Sequence, residues 1–253
     1  MNDKTRVVQS NLIAHRGASA FAPENTLTAI EIAARMGAQW VEIDVKLTRD
    51  GALVVIHDDT LDRTTSGHGA VVLNTLEQIR SLDAGRWFSN TYAGVTVPTF
   101  EEVVDTAICL GLGLQVELKP TIGDDLETAE AVIPLLRQKW PLGPHRLFVS
   151  SFSTRALGKA RALWEEVPLC LASLVAPADP AALLAEYDCQ ILHVVDPFLD
   201  EGHLRRLRDS EVEFAVATVN DPQRARYLLS RGAQSVLTDY PNLLDINVRQ
   251  GAI

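Results

Sequence analysis

The sequence predicts an α/β protein, a (β/α)8 TIM barrel with a small insertion after the second barrel strand, on three observations. Short apolar runs of strand length alternate with helix-period segments almost to the end of the chain, the pattern of repeated βα units and a parallel sheet. Nine such runs occur, one more than a closed eight-stranded barrel needs. Only Thr48-Arg49-Asp50-Gly51-Ala52 separates the second run from the third, too little for a crossover between parallel strands but suited to a hairpin turning at Asp50-Gly51. The third run is therefore an antiparallel return strand, and the other eight close the barrel.

The predicted strands are 11–16, 40–47, 53–57, 114–119, 147–152, 169–175, 191–195, 214–219 and 235–238. Helical signals lie between most of them. Asn25 reads as an N-cap before Leu27, Ile30 and Ala34, and Asp221-Pro222 opens a helix running through Leu228. The segment from about 47 to 98 contains Gly67, Gly69, Gly85 and Gly94 and reads as a loop-rich insertion. Inserted where the second strand exits, it is expected to cap the C-terminal mouth, the face where such barrels place their chemistry. The whole chain, 1–253, reads as one domain.

With 253 residues, 47% of them hydrophobic and 22% charged, the core is large enough that neither disulfides nor oligomerisation need be invoked. Cys109, Cys170 and Cys189 are odd in number, lie in apolar runs and show no Cys-x-x-Cys spacing, so they read as buried thiols in a reducing compartment. The N-terminus carries no apolar stretch of signal or membrane-spanning kind, which predicts a cytoplasmic protein without membrane insertion. A formal charge of −10 with no Lys/Arg cluster argues against nucleic acid or an anionic membrane as the main partner. Any phosphate substrate must then be attracted locally, by a metal or a few placed cations.

Glu42 and Asp44, two apart in the second strand, share one face, while Val41, Ile43 and Val45 share the other. The apolar face belongs against the outer helices, so the carboxylates point into the barrel, where they need bases or a metal as partners. Glu117 and Lys119 repeat the device among Leu114, Val116 and Leu118. Three inward acids are hard oxygen ligands of the kind that hold magnesium or calcium. One divalent cation, together with Arg16 and Lys119, would reverse the local sign and contact a phosphate. His15-Arg16-Gly17 ends the first strand at the mouth, and His57 closes the return strand level with Glu42 and Asp44. Two imidazoles flanking such a centre suit phosphoryl transfer, one to take a proton and one to give it.

The segments Ala14-His15-Arg16-Gly17, Pro23-Glu24-Asn25-Thr26, Glu42-Ile43-Asp44-Val45 and His57-Asp58 resemble signatures of the glycerophosphodiester phosphodiesterase family. Leu61-Asp62-Arg63-Thr64-Thr65, Asp83 to Phe88, Pro98-Thr99-Phe100, Glu117-Leu118-Lys119-Pro120, Ser150-Ser151-Phe152 and Thr238-Asp239 extend the resemblance over nearly the whole chain. In length, missing signal and Thr218-Val219-Asn220 it is most similar to the cytoplasmic bacterial members. The resemblance implies Glu42, Asp44 and Glu117 as metal ligands, His15 and His57 as the acid–base pair, and Arg16 and Lys119 as phosphate contacts. It implies a small-molecule glycerophosphodiester substrate, such as glycerophosphocholine or glycerophosphoethanolamine, cleaved to sn-glycerol 3-phosphate and an alcohol. Ala217 departs from the pattern, since family members often carry an aromatic there, and it opens one wall of the pocket.

Phe152, at the end of the fifth strand, and Trp87, in the insertion, are the expected pocket walls, with Phe21 and Phe88 as further aromatic neighbours. His193 reads as a barrel-lining histidine, and His68, His145 and His203 as solvated. Two alternative functions remain on the sequence alone: a lysophospholipase D, which needs an apolar groove at the mouth, and an inactive barrel used for binding.

Overall fold

The computed structural model describes residues 6–141 and 146–245. All nine predicted runs form strands: β1 (Leu12–His15), β2 (Trp40–Leu47), β3 (Leu53–Val55), β4 (Gly113–Leu118), β5 (Leu147–Ser151), β6 (Leu169–Ser173), β7 (Ile191–Val195), β8 (Glu213–Ala217) and β9 (Ser235–Thr238). Eight of them close into a parallel barrel in the ring order β1, β2, β4, β5, β6, β7, β8, β9, with β9 pairing back on β1. β3 lies outside the ring and runs antiparallel to β2, with Val45 opposite Val55 and Leu47 opposite Leu53, as the hairpin argument requires. Several predicted runs overshoot at their C-terminal ends, because those residues leave the ladder to line the mouth. Arg16 does so in a left-handed conformation, φ +57°.

The helices are α1 (Leu27–Arg35), α2 (Leu76–Arg80), α3 (Phe100–Cys109), α4 (Asp125–Lys139), α5 (Thr154–Leu163), α6 (Pro180–Glu186), α7 (Glu201–Asp209) and α8 (Pro222–Ser230). Asp221 caps α8 as predicted, accepting from the Arg224 amide, with Pro222 in the first turn where no amide hydrogen is needed. α1 begins one residue later than expected. Thr26, not Asn25, is its N-cap and accepts from Ala29 N, because Asn25 is held at φ +58° with its side chain turned toward Asp44.

Alternation along the strands sorts the interior into two apolar bodies. The outward faces, such as Val41, Ile43 and Val45 of β2 and Leu114, Val116 and Leu118 of β4, pack against Ile30, Phe100, Val104 and Val132 of the helices. Inside, Ile13, Trp40, Phe148, Cys170, Ile191 and Leu237 plug the N-terminal end of the barrel. Gly113 makes room for that plug: a Cβ there would lie 2.4 Å from the Trp40 indole. The barrel is thus closed by an apolar plug at its N-terminal end, which leaves the C-terminal end for chemistry.

The insertion is less loop-like than its glycines suggest. It contains α2, two single 3-10 turns (Val71–Leu73 and Asn90–Tyr92), and a small apolar body of its own, including Val54, Ile56, Leu61, Ile79 and Val97. Cys170 and Cys189 are buried as expected, but Cys109 is exposed, since it is the last residue of α3 and falls off the face carrying Phe100, Val103, Val104 and Ala107. His68 is exposed beside Asp62, and His203 folds into a capping box with Asp200, whereas His145 lies outside the described residues. No described helix is long and apolar enough to cross a membrane.

Candidate active site

The register of the barrel brings the predicted acids together. Asp44 of β2 lies opposite Glu117 of β4, and Glu42 lies opposite His15 of β1 on one side and Gln115 on the other. One carboxylate oxygen from each of Glu42, Asp44 and Glu117 lies within 4.8 Å of the other two. Glu42 and Asp44 are each only 1% exposed, so three acids share a nearly dry space. Asp44 is well supplied: Asn25 Nδ2 donates to it at 2.8 Å and the Arg16 guanidinium stands 3.2 Å away. Glu42 accepts only the Arg16 amide, at 3.0 Å. Its Oε1 is buried with no hydrogen-bond partner among the described residues, and Oε1 of Glu117, also buried, has an ion-pair contact to Lys119 Nζ at 3.4 Å.

Electrostatics follow from that supply. Burial, then the charges of Asp44 and Glu117, push the Glu42 carboxyl far above the usual range. Burial and the Asp44 charge push Glu117 up to about 7. Burial acts the same way on Asp44, but Arg16, His57, Lys119 and the Asn25 hydrogen bond outweigh it, and its carboxyl sits below the usual range. Lys119 shows the converse: Glu117 and Asp44 outweigh burial and raise its ammonium. Two acids raised above their usual range, beside Asp44 and with Glu42 Oε1 lacking any hydrogen-bond partner among the described residues, form a donor set that fits a hard divalent cation.

Each histidine is held by a carboxylate at Nδ1. His15 Nδ1 lies 2.8 Å from Asp239, which Ser19 Oγ and Asn220 Nδ2 fix in turn at 2.9 and 2.6 Å. His57 Nδ1 lies 2.7 Å from Asp58, which is gripped by Arg63 Nε and Nη2. The same Arg63 donates two bonds to Glu24, and Glu24 accepts Arg16 Nη1 at 2.7 Å. One ionic mesh therefore ties the insertion to the β1–α1 loop and to the centre. His57 Nε2 lies 3.0 Å from Lys119 Nζ. An ammonium has only protons to offer, so this Nε2 presents a lone pair and the imidazole is neutral. Burial, with Arg16 and Lys119 nearby, lowers His57 despite the Asp44 charge.

These groups line a cleft of about 160 Å³ that includes His15, Arg16, His57, Glu117 and Lys119. Phe152 is one wall, with Lys119 Nζ 6.0 Å from its ring centre, and Ala217 is another. Trp87 is not a wall. Its indole donates to Ala84 O at 2.8 Å and packs edge-on against Phe88, outside the lining. Gly17, at φ +82°, lets the turn after Arg16 close on α1, where a Cβ would come within 2.7 Å of Ala29 C.

Sequence reasoning assigned no role to Asp58, Asp239, Glu24 or Arg63, and read Asn25 only as a helix cap. Asp58 had a local signal, since it follows His57 directly. The pairing of His15 with Asp239 spans 224 positions and has none.

A sequence profile of the Glycerophosphoryl diester phosphodiesterase family matches residues 15–243. A glycerophosphodiester phosphodiesterase of Bacillus subtilis (strain 168) is 34% identical over 249 residues, covering 91% of this chain and 84% of its own. One from Caldanaerobacter subterraneus subsp. tengcongensis is 32% identical over 244 residues, covering 95% of this chain and 98% of its own. The structure of an Oleispira antarctica phosphodiesterase in complex with the product sn-glycerol-3-phosphate superposes with a TM-score of 0.89 at 37% identity, covering 94% of this chain and 97% of that one. The chain belongs to the glycerophosphoryl diester phosphodiesterase family and is an enzyme of its activity, glycerophosphodiester hydrolysis.

Proposed function

We propose that this enzyme hydrolyses glycerophosphodiesters such as glycerophosphocholine and glycerophosphoethanolamine to sn-glycerol 3-phosphate and an alcohol, with Glu42, Asp44 and Glu117 holding one magnesium or calcium ion. The observation that carries the reading is the three-carboxylate cluster, with Glu42 Oε1 buried and unpartnered among the described residues, flanked by two carboxylate-backed imidazoles. The product seen in the Oleispira antarctica enzyme supports the substrate class. When bound, the cation supplies Lewis acidity toward a phosphoryl oxygen and cancels carboxylate charge.

The chain's own groups do the rest. Arg16 and Lys119 hold the phosphoryl oxygens of the diester. A water attacks phosphorus and gives its proton to His57 Nε2, whose lone pair is freed as Lys119 Nζ turns from it to the phosphoryl oxygens. The phosphorus–oxygen bond to the alcohol breaks, and His15, whose Nδ1 is engaged by Asp239, protonates the leaving oxygen from Nε2. Asp58 and Asp239 hold the tautomers and stabilise each imidazolium. The insertion, residues 47–98, caps this cleft in the same reading, supported by Arg63 bridging Asp58 to Glu24 and by Tyr92 Oη donating to Phe21 O at 2.7 Å. A cytoplasmic location belongs to it too, supported by three free thiols.

A second reading, action on lysophospholipids, is favoured by one observation: Ile122, Phe152, Leu174 and Phe198 stand exposed beyond β4, β5, β6 and β7, an apolar arc beside the cleft. Detection of the released alcohol from glycerophosphodiesters and from lysophospholipids of the same head group, with sn-glycerol 3-phosphate measured from the former, with and without chelator, separates the two. Release of sn-glycerol 3-phosphate only when the cation is present supports the first; none from any unacylated substrate overturns it.

A further inference from the structure

Beneath the carboxylate cluster the barrel holds a polar layer that the reaction above does not use. Gln115 of β4, Ser150 of β5 and His193 of β7 are all buried there. Gln115 Nε2 donates to Ser150 Oγ at 3.0 Å and lies 3.3 Å from His193 Nδ1. With the amide in this orientation its nitrogen only donates, so His193 Nδ1 accepts and the imidazole proton sits on Nε2. The Phe148 ring meets the imidazole at 82° with centroids 5.7 Å apart, which fixes the ring plane. Burial pushes His193 down to about 3, so the ring is neutral throughout the range in which proteins of this kind are handled.

Two polar atoms of this layer have no hydrogen-bond partner among the described residues, Gln115 Oε1 and His193 Nε2, and of their two residues His193 alone lines the cleft. His193 Nε2 is buried and has no hydrogen-bond partner among the described residues, yet His193 lines the same cleft as His15, Arg16, Glu117 and Lys119. Orphaned buried donors are rare, and one at the floor of a binding cleft waits for an acceptor that arrives with the ligand. The ligand group it would meet is neutral. Arg16 and Lys119 gather the anionic part of the cleft on the β1, β2 and β4 side, while the wall around His193 carries no charge: Ala172, Val195, Ala217 and Leu237 are apolar, and Ser173 and Thr218 are neutral hydroxyls. A neutral N–H on an uncharged wall, opposite the cations, is matched by a hydroxyl rather than a charge.

We propose that His193 is a specificity residue whose Nε2 donates a hydrogen bond to a glycerol hydroxyl of the substrate, so that the cleft reads the polyol as well as the phosphate. The inference rests on the glycerophosphodiester reading above and adds to it which side chain recognises glycerol. Ala217 belongs to the same wall, where a small side chain leaves space for the polyol to reach the floor.

The test is calorimetric titration, in saturating magnesium or calcium, with sn-glycerol 3-phosphate and with n-propyl phosphate, which has the same carbon skeleton and no hydroxyls. The wild-type protein should bind the first about 10- to 100-fold more tightly than the second, the discrimination expected of one buried hydrogen bond. His193→Phe should lose that preference and leave n-propyl phosphate affinity unchanged, and His193→Gln, which restores an N–H, should recover part of it. Equal loss for both ligands would make His193 structural, and no preference in the wild-type protein overturns the proposal without any variant having to fold. Turnover of glycerophosphocholine by the wild-type protein in the same buffer reports separately on the function itself.

Discussion

Replacing Glu117 by Gln should stabilise the metal-free protein at alkaline pH, although it removes a proposed ligand. In the fold the Glu117 carboxyl is pushed from 4.5 up to about 7 by burial and the Asp44 charge. The folded state then binds that proton more tightly than the unfolded chain. Stability from this group is complete below about pH 4.5 and is lost as pH rises through about 7. A shift of this size corresponds to about 3 kcal/mol between the two limits. Gln mimics the protonated acid and cannot ionise. In chelator at pH 8, Glu117→Gln should therefore unfold with about 3 kcal/mol more stability than the wild-type protein, or about 6–12 °C higher for a chain of this size. At pH 5 the two should nearly coincide. Saturating magnesium or calcium should reverse the order, since the cation stabilises only the protein that binds it. Thermal unfolding over pH 5–8, with and without cation, decides the matter. If metal-free wild-type and variant proteins change with pH in parallel, Glu117 does not sit in the strained cluster described here, and the argument for a cation from its electrostatics fails.

The other predictions concern the cleft. His15→Ala and His57→Ala should each lower the turnover number by about 10² to 10⁴ and lose one limb of a bell-shaped rate profile, whereas Lys119→Met should lower the profile and keep its shape. Asp58→Asn removes a hydrogen bond that raises the His57 imidazole, so the acid limb of the rate profile should move to lower pH, with cation affinity unchanged by calorimetry. Trp87→Ala should lower the melting temperature, by the equivalent of about 2 kcal/mol for a half-buried indole, and leave the order of preferred alcohols unchanged. Phe152→Ala, at a wall that is 48% exposed, should instead change KM more than stability.

What could be read from the sequence followed the period of the strands. Alternation in 40–47 and 114–119 put Glu42, Asp44, Glu117 and Lys119 on the inner face, and a parallel sheet with adjacent strands leaves them little room except a shared centre. The five-residue gap before Leu53 was enough to remove β3 from the ring. Local signals failed where two residues of one type competed: Asn25 and Thr26 are both capping residues, and only the proximity of Asp44 explains why Asn25 turns away. Contacts made across the fold had no local trace at all. The Arg63 bridge from Asp58 to Glu24, the Asp239 partner of His15, and the Gln115 contact that orients His193 all join segments from different barrel units. Trp87 misled because its chemistry suits a pocket wall and its position depends on how the insertion folds on itself.

The acidity of the chain, −10 overall, and its anionic substrate class are reconciled at the centre. Glu42, Asp44 and Glu117 face Arg16 and Lys119, so when all are ionised the inner groups carry one net negative charge. A divalent cation turns that into one net positive charge, the complement of a phosphodiester monoanion. The outer mesh does not undo this. Arg63 is shared between Asp58 and Glu24, and each of those carboxylates is also committed, to His57 and to Arg16 respectively. Without the cation, burial and mutual repulsion raise Glu42 and Glu117, while Asp44, backed by Arg16 and Asn25, is lowered. The unpartnered Glu42 oxygen and the raised carboxyls therefore have one cause, an excess of buried carboxylate that the proposed cation would relieve.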